Sequence, residues 1–275
     1  MKKKSGWITG LLFLILLVGL SLLLYPSFSD YYNSFHQTQA IASYSSQVQK
    51  LDESKTLELK ESAVLYNESL VHKTNRFHLS EEEEKEYESL LDVTGTGIMG
   101  YIEISKIRCT LPIYHGTDDA VLQIAIGHIP GSSLPVGGES THCVLSGHRG
   151  LPSAKLFSKL DQLEVGDTFV LRVLDDVLTY EVDQILIVEP QEINSLQIEE
   201  GKDLCTLVTC TPYGVNTHRL LVRGHRRENL EDSMYARITA DATQIDSMIV
   251  APVLFIPLLL ILIIVLLIPR KKGDK

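Results

Sequence analysis

The sequence predicts a mainly β domain, led by a helical arm and flanked by two membrane-spanning segments, and three observations carry that expectation. Two stretches, Trp7 to Tyr25 and Ile249 to Ile268, contain no charged residue. Between Phe28 and about Asn75 apolar residues recur at helical steps. After Gly95 and Gly97 the texture changes to short apolar runs punctuated by Gly, Pro and Asp, the pattern of a closed or sandwiched sheet.

About 20 apolar residues are needed to cross the hydrocarbon layer, because a backbone in lipid must satisfy its own hydrogen bonds. Both uncharged stretches reach that length. Lys2, Lys3 and Lys4 precede the first, and no small-x-small cleavage site follows Tyr25, so it reads as a retained anchor rather than a cleaved signal. Arg270, Lys271 and Lys272 follow the second, which tolerates Pro252 and Pro257. Basic residues outside both ends keep both termini cytoplasmic and export what lies between. The expectation is therefore a cell-membrane protein with two spans and an extracytoplasmic working domain. The divisions expected are an anchor over 1–25, an arm over 26–98, a β domain over 99–228, a linker over 229–248, a second span over 249–268 and a basic tail over 269–275.

In the arm, Ile41, Tyr44, Val48 and Leu51 form one apolar face. A further helix starts at Ser80, where Glu83 completes a capping box, and buries Tyr87, Leu90 and Leu91. Strands are expected at Gly100–Ile104, Cys109–Tyr114, Thr141–Ser146, Phe169–Val173, Thr179–Val188, Cys205–Thr209 and Arg219–Arg223, with a short helix around Leu156–Leu160. Asn67-Glu68-Ser69 fits the glycosylation sequon, a triplet common by chance.

The 275 residues carry a net charge of -10, and the central region has no cluster of Lys and Arg, so nucleic acid is excluded as a partner class. Four cysteines, Cys109, Cys143, Cys205 and Cys210, are too few for a disulfide scaffold at this length and show no CxxC spacing. His115, His128, His142 and His148 with Cys143 offer donors for zinc, but no two have ligand spacing on one element. No metal and no cofactor are expected.

Cys210 closes the apolar run Leu207-Val208-Thr209 and is followed at once by Thr211-Pro212-Tyr213-Gly214, a turn sequence. A thiol so placed is held by a rigid strand yet opens onto a loop. It needs a partner to take its proton, and His148, just past Cys143-Val144-Leu145, supplies one. Arg219, at the start of Leu220-Leu221-Val222, supplies a fixed cation. Each residue alone has a plain structural reading: a packed cysteine, a turn histidine, a surface arginine. Together a thiol, an imidazole and a guanidinium are the minimum set for acyl transfer through a tetrahedral oxyanion.

Those surroundings resemble the sortase family. The matching runs are Thr206-Leu207-Val208-Thr209-Cys210-Thr211-Pro212-Tyr213-Gly214 with Thr217-His218-Arg219-Leu220-Leu221-Val222-Arg223-Gly224, and Leu145-Ser146-Gly147-His148-Arg149-Gly150-Leu151-Pro152. Leu111-Pro112-Ile113-Tyr114-His115-Gly116-Thr117 and Gly131-Ser132-Ser133-Leu134-Pro135 add to them. The resemblance implies an eight-stranded β-barrel with Cys210 as nucleophile, His148 as general acid and Arg219 as the donor to the oxyanion or the substrate. Two anchors, the long arm and the variants around His115 and His148 resemble class C, the pilus-assembling sortases of Gram-positive bacteria. The class implies substrates bearing an LPXTG-like sorting signal, a lysine on a pilin as acceptor, and an isopeptide product. Many members carry an Asp-Pro-aromatic lid in the arm; the nearest equivalent here is Asn75-Arg76-Phe77, without the Asp and the Pro. The alternatives are a housekeeping sortase attaching surface proteins to a cell-wall precursor, a hydrolytic cysteine peptidase, and a non-enzymatic bitopic scaffold.

Overall fold

A computed structural model describes residues 3–229. The expected linker beyond residue 229, the second span and the basic tail lie outside the described residues. The chain divides into two compact units, one holding the residues up to Ser29 and the other starting at Asp30.

The first helix, α1, runs over Lys3–Val48 and passes through Pro26. Among the described residues it alone is long and apolar enough to cross a membrane. The expected stripe is present: Ile41 and Tyr44 are buried, and Val48 and Leu51 pack against the core. Tyr44 does more than fill space, because its hydroxyl donates to Met99 O at 2.9 Å and accepts from Leu174 N at 2.8 Å. Burial pushes that phenol above its ordinary range. The arm is not one helix: a break after Val48 precedes α2, Glu53–Leu70, which is capped by the Asp52 carboxylate on Lys55 N at 2.7 Å. The third helix, α3, Glu81–Ser89, starts on the capping box read from Ser80 and Glu83, with both reciprocal bonds made. Its Tyr87 and the following Leu91 are buried as expected, whereas Leu90 is only half-buried.

The seven expected strands are all present, within a residue or a few at their ends, as parts of an eight-stranded closed barrel. They are β1 (Ile98–Ile104), β2 (Cys109–His115), β3 (Ile126–His128), β4 (Thr141–Ser146), β5 (Thr168–Val173), β6 (Asp176–Val188), β7 (Asp203–Thr211) and β8 (His218–Arg227). The order around the barrel is β1-β2-β3-β4-β7-β8-β6-β5. All pairs are antiparallel except β2 with β3 and β4 with β7, which are parallel. A one-turn helix, α4 (Asp119–Leu122), leads into β3. The strand missing from the sequence reading is β3, three residues long between Ala125 and the Ile129-Pro130 turn, too short to show a period.

The helix expected around Leu156–Leu160 is not formed. Those residues make turns that end in a 3-10 turn over Leu160–Gln162. Leu156 sits at a positive φ of 35°, outside the helical region, and the local bonds close three residues back, as Leu160 N does on Phe157 O at 3.0 Å, while Phe157 N donates to His148 O at 3.1 Å and ties the segment to the loop after β4.

Arm and barrel share one hydrophobic core. Ala63, Tyr66 and Leu70 of α2 and Tyr87 of α3 belong to the same cluster as Ile102, Ile113, Leu145, Leu171, Leu207 and Val222 of the strands. Asn67, fully inside, is a polar stitch between them: its Nδ2 donates to Leu134 O at 3.1 Å and its Oδ1 accepts from Leu134 N at 2.7 Å. The sequon at Asn67 is thus a buried structural amide.

Candidate active site

The parallel pair β4 and β7 brings the predicted residues together. Its register runs from Thr141 opposite Asp203 to Ser146 opposite Val208, a constant offset of 62 positions. His148 and Cys210 are separated by the same 62 positions, as are two side-chain contacts on either side of them: Thr209 Oγ1 donates to Gly147 O at 2.7 Å, and Arg149 Nη1 donates to Thr211 Oγ1 at 3.4 Å. Gly147 N also donates to Val208 O at 3.0 Å, which carries the ladder past the end of β4. On the other side of β7, Cys210 and Arg219 are direct partners in the antiparallel pair with β8. His148, Cys210 and Arg219 therefore stand at one level across three adjacent chain segments.

Alternation decides which face they share. Cys143 and Leu145 of β4, Cys205 and Leu207 of β7, and Leu220 and Val222 of β8 point into the barrel core. Gly147 is also turned inward, and a Cβ there would lie 2.8 Å from Ile126 Cγ2 and Phe157 Cδ2, so the position admits only glycine without repacking. By the period of two, His148, Cys210 and Arg219 fall on the outer face, where all three are partly exposed. Arg219 Nη1 donates to His218 O at 3.1 Å and Asn216 O at 3.4 Å, so the guanidinium lies along the start of its own strand.

The other three cysteines are differently placed. Cys143 and Cys205 face each other across β4 and β7, sealed in the core, and burial pushes the Cys205 thiol up. The Cys109 sulfur is enclosed and donates to Leu156 O at 3.8 Å, and burial pushes its thiol up to about 12. Cys210 is the thiol that opens onto an exposed loop, Pro212 to Asn216.

The remaining histidines are occupied structurally. His142 lies between Gln197 O and Thr206 Oγ1, each at 2.7 Å, and burial lowers it to about 4. His128 lies between the Tyr87 hydroxyl at 3.0 Å and Ser133 O at 2.8 Å. His115 lies between Gly97 O at 3.0 Å and Leu90 O at 2.7 Å. Among the described residues no group of three or more His, Cys, Asp and Glu is placed to hold a metal.

The outer face next to the site is covered by a small apolar cluster of Val144, Leu196, Val208 and Leu221, against which Phe77 packs with Ile129, Leu186 and Val188. Val208 is two residues before Cys210 and Leu221 two after Arg219, so this cluster lies one side-chain row, roughly 7 Å, from the predicted site residues. Asn75, with a positive φ of 60°, turns the chain into this position. Arg76 then anchors it, buried, with Nη1 donating to Gly131 O at 2.8 Å, Nη2 donating to Leu196 O, and Cζ 4.4 Å from the Phe77 ring centroid. Burial lowers its guanidinium to about 10. Gly131, at φ +81°, accommodates the segment, since a Cβ there would meet Arg76 O at 1.8 Å. The anchoring arginine was not legible in the sequence as an anchor, since its two acceptors belong to loops far along the chain.

A family model described as the sortase domain matches residues 102–227. The chain is similar to Sortase D of Bacillus subtilis, at 33% identity over 130 residues, covering 46% of this chain and 63% of that protein. It is similar to Sortase A of Streptococcus agalactiae at 30% identity over 139 residues, covering 50% and 56%. The chain thus spans less than two thirds of the length of these curated relatives. Among solved structures it is similar to sortase C1 from Streptococcus agalactiae at 52% identity and a TM-score of 0.68, over 70% of this chain and all of that one. It is also similar to Streptococcus pneumoniae sortase C, at 41% identity and a TM-score of 0.62, over 70% of this chain and 97% of that one. A third neighbour, at 41% identity and a TM-score of 0.62, is Clostridium perfringens sortase C with the C-terminal cell wall sorting motif, over 70% and 99%.

Proposed function

The chain belongs to the sortase family, and from that premise we propose that it is a class C cysteine transpeptidase, anchored in the cell membrane, that joins pilin subunits. The observation that carries the reading is the shared level of His148, Cys210 and Arg219 on adjacent segments of one outer face.

In the first step the Cys210 thiolate attacks the threonyl carbonyl of an LPXTG-like sorting signal. Arg219 swings from its two backbone carbonyls to donate to the oxyanion that develops. Collapse of the tetrahedral species breaks the C–N bond, and the His148 imidazolium gives its proton to the departing amine. The product is a thioester on Cys210. In the second step the lysine amine of another pilin attacks that thioester, its proton passes to His148, and the thiolate leaves. One peptide bond is exchanged for one isopeptide bond, so no external energy source is required. Two spans would hold the enzyme at the outer membrane face, where both pilins are delivered.

The acceptor distinguishes this reading from its rivals. Full-length chain incubated with a pilin carrying the sorting signal is expected to give a ladder of covalent multimers on a denaturing gel. A single cleaved band would instead indicate a peptidase, and an adduct with cell-wall precursor a housekeeping sortase. No covalent product of any kind, with Cys210 unlabelled, would leave the bitopic scaffold.

Phe77 is read as a lid over the groove, held by Arg76 in place of the Asp and Pro of the resembling tripeptide. The support is the packing of Phe77 on the cluster beside the site. If the covered state holds nine tenths of the molecules, Phe77→Ala should raise the acylation rate about tenfold by restoring the open fraction. Unchanged stopped-flow acylation in that variant would remove the lid from the mechanism.

A further inference from the structure

Next to the histidine and on the opposite face stands an arginine that the chemistry above does not use. The Arg149 side chain is nine-tenths buried, and its Nη2 pairs with Asp161 Oδ2 at 2.6 Å. Nη1 reaches across to Thr211 Oγ1 at 3.4 Å, and Cζ lies 5.8 Å from the Tyr213 ring centroid. The same ring lies 3.0 Å from where a Cβ on Gly150 would be, so the loops after β4 and β7 are in contact here. Nε is buried and finds no hydrogen-bond partner among the described residues. That unpaired donor works against stability, while the rest of the side chain joins three groups, Asp161, Thr211 and Tyr213.

The two loops are not equally secured. Around His148 the backbone is pinned by Gly147 N on Val208 O, Phe157 N on His148 O and Gly150 N on Ser158 Oγ, each between 3.0 and 3.1 Å. After Cys210 the chain is exposed from Pro212 to Asn216, and its internal bonds are the two turns closing on Pro212 O. Arg149 runs from the pinned loop to the loose one, at the level directly beyond the His148 and Cys210 pair. Directly before that pair, Thr209 Oγ1 on Gly147 O makes the other cross-link.

We propose that Arg149 is a positioning residue: by tying Thr211 and Tyr213 to Asp161 it holds the Cys210 strand end at working separation from His148. The assignment rests on the transpeptidase reading and adds a residue to it. Misplacement of reacting groups by about 1 Å costs on the order of 10²-fold in rate, so a modest slackening is measurable.

The test uses the full-length chain in detergent micelles with a sorting-signal peptide as acyl donor, single-turnover acylation being read by intact mass. Arg149→Gln should lower the limiting acylation rate by about 10- to 100-fold while the half-saturating peptide concentration stays within about twofold. Guanidinium ion at tens of millimolar should restore part of the rate to Arg149→Ala, which loss of structure alone would not permit. Asp161→Asn, which keeps the arginine and removes its exposed partner, should lose rate in the same direction and less. A wild-type rate in Arg149→Gln, or a loss lying wholly in the peptide concentration dependence, overturns the positioning role. If both Arg149 variants fail to fold by circular dichroism, a wild-type rate in Asp161→Asn overturns it equally. Absence of any adduct in the unsubstituted chain would overturn the transpeptidase reading itself, and this role with it.

Discussion

Cys210→Ala is expected to abolish the thioester with a sorting-signal peptide completely while leaving the barrel folded. The loss should be total because no other thiol can stand in. Cys143 and Cys205 are sealed between β4 and β7, and Cys109 is enclosed with its thiol pushed up to about 12. The fold should survive because Cys210 sits at a partly exposed strand end, where a substitution of this size typically costs about 1 kcal/mol. Intact mass after incubation with peptide reads the first outcome, and far-UV circular dichroism the second. An adduct that persists in the variant would mean that the nucleophile lies elsewhere.

Arg219→Ala is the second large effect. The guanidinium sits directly across the β7–β8 ladder from the proposed nucleophile, and its present acceptors are carbonyls of its own turn, His218 O and Asn216 O. Removing one donor from an oxyanion site typically lowers kcat by about 10²- to 10³-fold, or about 3 to 4 kcal/mol of transition-state stabilisation. Little of that should appear as lost stability, because both bonds are local and at least partly exposed. Arg219→Lys should recover only a minor part, since an ammonium cannot present the planar fork of donors. Single-turnover rates at saturating peptide measure this directly. If the rate at saturation is unchanged and only the peptide concentration needed rises, Arg219 binds substrate and does not serve the oxyanion.

Much of this was legible before any coordinates. The apolar runs marked seven strands because their faces are covered and a buried strand must be apolar, and the Ser80 and Glu83 pair marked the start of α3 because helix N-termini need acceptors. What stayed hidden is non-local. The three residues of β3 have no period to read, and they are a strand only because β2 and β4 flank them. The turn at Leu156 replaces a helix because that residue is held at a positive φ of 35° where the segment meets the loop after β4, through Phe157 N on His148 O. At the site, the residue types were visible but their convergence was not, because the offset of 62 is the register of a parallel pair whose crossover no local rule encodes. Arg149 and Arg76 were missed as structural ties for the same reason, since Thr211 Oγ1, Gly131 O and Leu196 O, which they reach, lie 55 or more positions along the chain.

The Asn67 side chain pairs with both backbone groups of Leu134, as a neighbouring strand would. Anyone trimming this protein to its smallest autonomous piece would therefore go wrong by cutting at the first strand. Such a cut strips the amide and carbonyl of Leu134 of the side-chain bonds from Asn67 and bares the floor on which Tyr66 and Tyr87 rest. The compact unit begins at Asp30, and within it α2 and α3 of the arm form part of the wall of the core and are not a detachable accessory.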